Sequence, residues 1–136
     1  MYRHAFALVA AALALSLIGP VAHAAEPSGV TAKVVSQEAL PNSPGNSLTA
    51  VVVDLAPGAS APAHHHAGFV LAYVLSGTVR SALNKGEPKD FHAGQSWVEP
   101  PGTEHTLTAN PSRTESASLL AVFVAPTGAN LTTYNK

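Results

Sequence analysis

Residues 58–77 have the sequence Gly58-ASAPA-His64-His65-His66-AGF-Val70-LAYVLS-Gly77. Three consecutive histidines precede a run of apolar and aromatic residues, and the run ends at a serine and a glycine. An apolar run of this length between turn-forming residues predicts a β-strand. Ser76-Gly77 predicts a tight hairpin to the next strand, because glycine adopts the positive φ that two-residue turns require.

Short strand-like runs recur on both sides of this segment, and after residue 24 no stretch keeps a helical period over about 11 residues. Loops are predicted at Pro41–Gly45 and Ala109–Ser116, and a loose tail at Leu131–Lys136. About eight short strands in roughly 110 residues indicate an all-β domain, either a two-sheet jelly roll or a closed barrel. The predicted strands are Thr31–Ser36, Leu48–Leu55, Phe69–Leu75, Thr78–Leu83, Lys89–Phe91, Gln95–Val98, His105–Thr108 and Ser118–Val124.

The composition is that of a chain with one buried core. Of its 136 residues, 46% are hydrophobic and 11% are charged, which fits a single domain. The chain contains no cysteine, so packing rather than disulfide bonding stabilises it. Its basic residues after residue 24 are scattered along the sequence, which argues against a nucleic-acid partner. They are Lys33, Arg80, Lys85, Lys89, Arg113 and Lys136.

The first 24 residues have the features of a secretory signal peptide. Arg3 gives a positive start, Ala5–Ile18 forms an apolar run, and Ala22-His23-Ala24 has the small-x-small pattern of a cleavage site. The apolar run is about 14 residues long, shorter than the roughly 20 that span a bilayer, so a retained membrane anchor is the weaker interpretation. We therefore predict a mature protein of residues 25–136 that is periplasmic or secreted and has no membrane partner.

The histidine triplet is the first candidate for chemistry. On a strand, successive side chains point to opposite faces, so His64 and His66 share one face and His65 points the other way. Two imidazoles spaced in this way can both bind a metal ion at about 2.0–2.1 Å. Val70, Ala72 and Val74 continue the alternation and predict an apolar lining for that face. The alternative is a solvated loop with the adventitious metal affinity of a purification tag.

A second spaced set of residues gives the triplet a context. Residues 94–110 have the sequence Gly94-QSWVE-Pro100-Pro101-Gly102-TE-His105-TLTA-Asn110. With the first segment, it resembles the two motifs of the cupin superfamily, Gly-x5-His-x-His-x3,4-Glu-x6-Gly and Gly-x5-Pro-x-Gly-x2-His-x3-Asn. Every Gly, Pro and His of both motifs has its counterpart, and the resemblance covers Gly58 to Asn110. It implies a single-domain cupin-type jelly-roll β-barrel within residues 25–136.

The resemblance also implies a metal centre, in which His64, His66 and His105 bind one divalent transition metal ion. Imidazole ligands suit Fe, Mn, Ni, Zn and Cu, so the ligand type does not choose among them. Two residues depart from the motifs. The motif Glu, a metal ligand in many cupins, is replaced by Val70, or by Leu71 in the alternative spacing, and the motif Asn comes one residue late at Asn110.

The missing carboxylate leaves three interpretations open. Water or substrate can occupy the extra coordination positions, as a catalytic metal requires. Glu99, Glu104 or His92 can replace the Glu; Glu104 neighbours His105 and is expected on the opposite face. The third interpretation is a barrel that has weakened or lost its metal.

Two functional hypotheses follow from the resemblance and the three histidines. The first is a metal-dependent enzyme of the oxygenase, isomerase or lyase kind that acts on a small molecule. The second is a non-catalytic module that binds a metal or a small ligand, and a metal-free structural barrel is a weaker third. Analogy with the family further implies a homodimer.

Overall fold

The structure is a computed structural model that describes residues 29–136. The predicted signal peptide lies outside the described residues. All regular elements of residues 29–136 are β-strands, and this part of the chain has no helix long and apolar enough to cross a bilayer. The strands are β1 (Val30–Ala39), β2 (Asn46–Leu55), β3 (Ser60–Ala61), β4 (His64–His66), β5 (Phe69–Ser76), β6 (Thr78–Leu83), β7 (Lys89–His92), β8 (Ser96–Glu99), β9 (Glu104–Ala109), β10 (Ala117–Pro126) and β11 (Thr132–Tyr134).

The strands form two antiparallel sheets. The first has the order β1-β2-β10-β5-β8, and the second has the order β11-β4-β9-β6-β7, with β3 paired to β9. Strands that are neighbours in a sheet are therefore mostly distant in sequence, as in a jelly roll. The predicted all-β jelly-roll fold is confirmed. Of its two variants, the structure has the two-sheet form, since among the described strands no ladder joins the two sheets.

The inner faces of the two sheets supply the core because the long strands alternate between buried and exposed residues. Along β5, the side chains of Val70, Ala72 and Val74 are buried, and those between them are exposed. Val79 from β6 and Leu55 from β2 pack into the same cluster. Full burial of each such aliphatic side chain contributes about 1.5–3 kcal/mol. The predicted inward direction of the first three is thus confirmed.

The predicted hairpin at Ser76-Gly77 is wrong, although the turn itself is present. Gly77 has a φ of +68°, as a tight turn requires. However, β5 pairs with β10 and β8, whereas β6 pairs with β9 and β7. The chain passes at Gly77 from one sheet to the other, and the two strands that it joins diverge. A local turn pattern cannot distinguish a hairpin from such a corner, because the strand partners are set by residues far away in sequence.

The predicted loose tail at Leu131–Lys136 is also wrong. Residues Thr132–Tyr134 form β11, which pairs with β4 along the whole histidine triplet. The predicted strands include neither β3 nor β4, although His64 and His66 are expected to share a face as on a strand. Strands of two or three residues are too short to show an alternating pattern, so pairing partners rather than local sequence define them.

Candidate metal centre

Three histidines from two neighbouring strands meet on the inside of the barrel. β4 carries His64 and His66, and β9 places His105 directly opposite His64 in the antiparallel ladder. One ligand nitrogen from each of the three rings lies within 4.8 Å of the other two. His64 and His105 are buried, whereas His65 is exposed. The structure thus brings together the three residues predicted to bind metal and leaves out His65.

Backbone carbonyls orient the rings of β4. The Nδ1 of His64 donates to the Pro62 carbonyl oxygen at 2.8 Å. The Nδ1 of His66 donates to the Leu131 carbonyl oxygen at 3.0 Å, just before β11. Because a carbonyl oxygen only accepts, these contacts place the protons on Nδ1 and leave the Nε2 lone pairs for a metal ion.

His105 is held through its other nitrogen. Its Nε2 lies 2.8 Å from the hydroxyl of Ser81 and 3.0 Å from the hydroxyl of Thr108. Both hydroxyls are buried in the second sheet, and each can accept a hydrogen bond from the ring N–H. The Nδ1 of His105 is then the nitrogen available as a ligand. Such outer hydrogen bonds are typical of metal-binding histidines, because they fix ring orientation.

Burial keeps the three imidazoles neutral. It lowers the pKa of His64 and of His66. Burial and repulsion from the other two rings lower the pKa of His105 to about 3. A neutral imidazole has a free lone pair, so the site presents three uncharged nitrogen ligands at physiological pH.

These shifts predict how metal binding depends on pH. Protons compete with the metal only when pH falls towards the pKa of the ligand, and a pKa lowered from the reference value of about 6.5 moves this competition to lower pH. We expect the affinity to change little between about pH 8 and pH 7 and to fall below about pH 6. Competition titrations with a chromophoric chelator from pH 5 to pH 8 will measure this. A loss already complete at pH 6.5 would contradict the prediction.

A buried carboxylate faces the histidines from the other sheet. Glu99 ends β8 and is 3% exposed. Its Oε1 accepts a hydrogen bond from Trp97 Nε1 at 2.9 Å and lies 3.2 Å from His105 Nδ1. Its Oε2 lies 3.7 Å from His66 Nε2 and has no hydrogen-bond partner in the described part of the chain. Burial raises the pKa of Glu99, against the opposing effects of the Trp97 hydrogen bond and of His64.

Of the three residues considered as replacements for the motif Glu, the structure brings only Glu99 to the histidines. Glu104 is exposed, as expected from its neighbour His105, and accepts a hydrogen bond from Asn135. His92 is exposed, and its Nδ1 lies 3.0 Å from the Thr78 hydroxyl. The sequence could not decide between Glu99 and His92, because both lie next to turns that hide the phase of the strand.

Asn110, which stands one residue later than the Asn of the second motif, stabilises the backbone around it. The Nδ2 of Asn110 donates to the carbonyl oxygens of Leu55, Ala56 and Glu115, and its Oδ1 accepts from the backbone N–H of Ser112. Asn110 is buried, and all these partners are backbone groups. These hydrogen bonds tie the loop before β10 to the end of β2.

The histidines and Glu99 line a cavity of about 300 Å³. Its remaining walls are mostly apolar and include Trp97 and Phe123. No lysine or arginine is among the described residues that line it. β11, the two residues before it and one face of β1 border the cavity, with residues Asn130, Leu131, Thr132, Tyr134, Val30, Ala32 and Val34. A loose tail would have left this side open, so sequence reasoning missed part of the wall.

Fold and histidine geometry together define a small β-barrel protein with a candidate metal centre. The sequence model of the cupin domain matches residues 51–123, which is more than half of the chain. The chain belongs to the cupin family. No curated protein sequence matches it.

Solved structures with the same fold agree. A Klebsiella pneumoniae protein with a double-stranded β-helix domain is similar at 23% identity and a TM-score of 0.63, over 82% of this chain and 90% of that one. KdgF from Halomonas sp. is similar at 25% identity and a TM-score of 0.57, over 74% and 82%. The polyketide cyclase RemF from Streptomyces resistomycificus is similar at 18% identity and a TM-score of 0.57, over 76% and 75%. At these identities the likeness concerns the fold.

Proposed function

We propose that His64, His66 and His105 bind one divalent transition metal ion, and that the protein is a metal-dependent enzyme acting on a small molecule in the cavity. The observation that carries the proposal is the convergence of three imidazoles, two of them buried and that of His66 partly buried, in the wall of a largely apolar cavity. Fe, Mn, Ni, Zn and Cu all accept imidazole ligands. A bound ion supplies Lewis-acid polarisation of a ligand oxygen, which suits oxygenase, isomerase and lyase reactions.

The wall of the cavity indicates which molecules the site accepts. Because the described lining has no lysine or arginine, a polyanionic ligand would find no cationic side chain to pair with. Apolar side chains such as Val53, Leu119 and Phe123 favour a hydrophobic body. A volume of about 300 Å³ suits a small molecule. We therefore propose a small, largely apolar ligand whose one polar end carries oxygen donors for the metal.

A non-catalytic binding module is the second candidate. It is favoured by the scarcity of groups that can transfer protons. Apart from the three histidines, Glu99 and Tyr134 are the titratable side chains among the described residues that line the cavity. A site with few acids and bases can hold a metal and a ligand without converting it.

A panel experiment distinguishes the two candidates. Protein loaded separately with Fe(II), Mn(II), Ni(II), Zn(II) and Cu(II) is mixed with small hydroxyketones, diketones and catechols, and a polycarboxylate serves as the contrasting class. Oxygen uptake and product mass are measured, with His105→Ala as the control. Turnover by the wild type alone supports the enzyme. Saturable binding of the neutral compounds without turnover supports the module, and preference for the polycarboxylate contradicts the proposed ligand class.

We propose that the protein is exported and that residues 1–24 are removed. Arg3, the apolar run Ala5–Ile18 and the small residues around His23 support this. Cell fractionation and N-terminal sequencing test it. A mature chain beginning at Ala25 outside the cytoplasm is expected, and an uncleaved cytoplasmic chain would contradict it.

We further propose that a second copy of this chain covers the outer face of β5. Phe69, Leu71, Tyr73 and Leu75 are exposed side by side there, and Val98 on β8 lies opposite Leu71. These residues carry no charge, so a two-fold contact brings identical apolar patches together without repulsion. The molar mass in solution tests this, and a monomer at high concentration would exclude it.

A further inference from the structure

A carboxylate lies near the place of the missing motif Glu, although it comes from a different part of the sequence. Val70, which replaces the motif Glu, is buried on the inner face of β5. Its partner in the antiparallel ladder between β5 and β8 is Glu99. Residues directly opposite one another in such a ladder point to the same face, with Cβ atoms about 4.5–5.5 Å apart. A carboxylate at residue 99 therefore enters the same part of the barrel from the neighbouring strand.

The distances between Glu99 and the histidines suit ligands of one ion. Two atoms that are each about 2.1 Å from an ion lie about 3.0 Å apart at a right angle and about 3.4 Å apart at a tetrahedral angle. Glu99 Oε1 lies 3.2 Å from His105 Nδ1, and Oε2 lies 3.7 Å from His66 Nε2. Both pairs are near the separation that a shared metal ion imposes.

The hydrogen bonding of Glu99 points to a missing cation. Its Oε1 is held by the indole N–H of Trp97, whereas its buried Oε2 has no hydrogen-bond partner within residues 29–136. A buried carboxylate oxygen without a partner is strongly unfavourable, and a cation satisfies it. Trp97 acts as a positioning residue, because its hydrogen bond leaves Oε2 directed towards the histidines.

We propose that Glu99 is the carboxylate ligand of the metal centre, moved from β5 to β8 relative to the family motif. The inference rests on the proposed metal site of His64, His66 and His105. A carboxylate ligand lowers the net charge of the centre from +2 to +1. It leaves a six-coordinate ion two positions for an exchangeable ligand instead of three. The histidines and Glu99 then tie the two sheets together through the ion.

The test uses metal affinity and the Co(II) absorption spectrum, because both report on coordination without requiring activity. Glu99→Gln keeps the shape and the acceptor for Trp97 but removes the charge. We expect it to lower affinity for Zn(II) and Co(II) at least about 100-fold and to change the intensity of the Co(II) bands. Glu104→Gln, which removes an exposed carboxylate one residue from His105, is the matched control and should bind as the wild type.

A swap variant makes the test independent of folding defects in Glu99→Gln. In the double substitution Val70→Glu with Glu99→Val, the carboxylate returns to β5 and enters the same space, so affinity should recover at least about tenfold over Glu99→Gln. Wild-type affinity and an unchanged spectrum in Glu99→Gln would overturn the proposal, and so would a swap variant without recovery. His105→Ala in the same titration distinguishes a failure of the Glu99 proposal from a failure of the three-histidine site. If it too binds as the wild type, the three-histidine site itself is wrong.

Discussion

His105→Ala is expected to lose the bound metal ion, whereas His65→Ala is expected to retain it. A complete metal site contributes about 10–16 kcal/mol of binding free energy, or roughly 3 kcal/mol for each of four ligands, and 1.4 kcal/mol corresponds to a factor of ten. Loss of one imidazole should therefore weaken binding about 100-fold to 1000-fold. The two residues differ in position. His105 lies inside the barrel opposite His64, and His65 is exposed on the outer face of β4.

Metal content after gel filtration and titration calorimetry with Zn(II) will measure the difference between the variants. The alanine at residue 105 also leaves the Ser81 and Thr108 hydroxyls without their ring partner, at a cost of about 1–3 kcal/mol in stability if they stay buried. His105→Gln, which keeps a polar side chain near those hydroxyls, controls for this effect. Retention of metal by a folded His105→Ala protein would rule out the site.

Gly68→Ala is expected to destabilise the fold strongly, although it adds only one methyl group. Gly68 lies between β4 and β5 with a φ of +85°, and an added Cβ would overlap the carbonyl oxygen of Val124 and lie 2.9 Å from the Cα of Ala125. Both atoms belong to the backbone of β10 and cannot move aside like a side chain. Overpacking and backbone strain together should lower the free energy of unfolding by about 3–5 kcal/mol.

Gly45→Ala is the matched control for Gly68→Ala. Gly45 has nearly the same φ, +83°, but no atom lies within 4 Å of an added Cβ. Only the conformational cost then applies, about 1–2 kcal/mol. Urea denaturation of both variants measures the two costs. Equal destabilisation would show that the close approach of β10 to Gly68 is relieved cheaply. Because Gly68 follows His66 by two residues, relief by strand movement should also weaken metal binding.

Much of the candidate site could be predicted from local sequence. The spacing of His64 and His66 places them on one face of any strand, and the turn before His105 belongs to a recognisable motif. Their inward direction agrees with the prediction, although the alternation of Val70 and Ala72 belongs to a separate strand of the other sheet. The prediction that Glu104 faces away from the site also held, because alternation on a strand fixes the direction of a neighbour relative to His105.

The position of Glu99 beside the histidines could not be predicted from local sequence. Its direction depends on the register between β5 and β8, and that register pairs it with Val70, a residue 29 positions earlier in the sequence. The wall formed by β11 has the same origin, since Thr132–Tyr134 is a strand only because β4 is beside it. The turn at Gly77 likewise gives no information on which sheet the next strand joins.

The all-β class, the cupin motifs and the three candidate histidines could be recognised without coordinates, since these depend on residue types and on spacings within one strand or turn. The remaining features depend on the folded chain. The tertiary structure set the two-sheet topology, brought the C-terminal strand over the histidine triplet, and placed a carboxylate of β8 at the position left by Val70. The physical reason is that a strand buries its inner face and satisfies its backbone only through partners distant in sequence, so contacts between strands emerge when the register is formed.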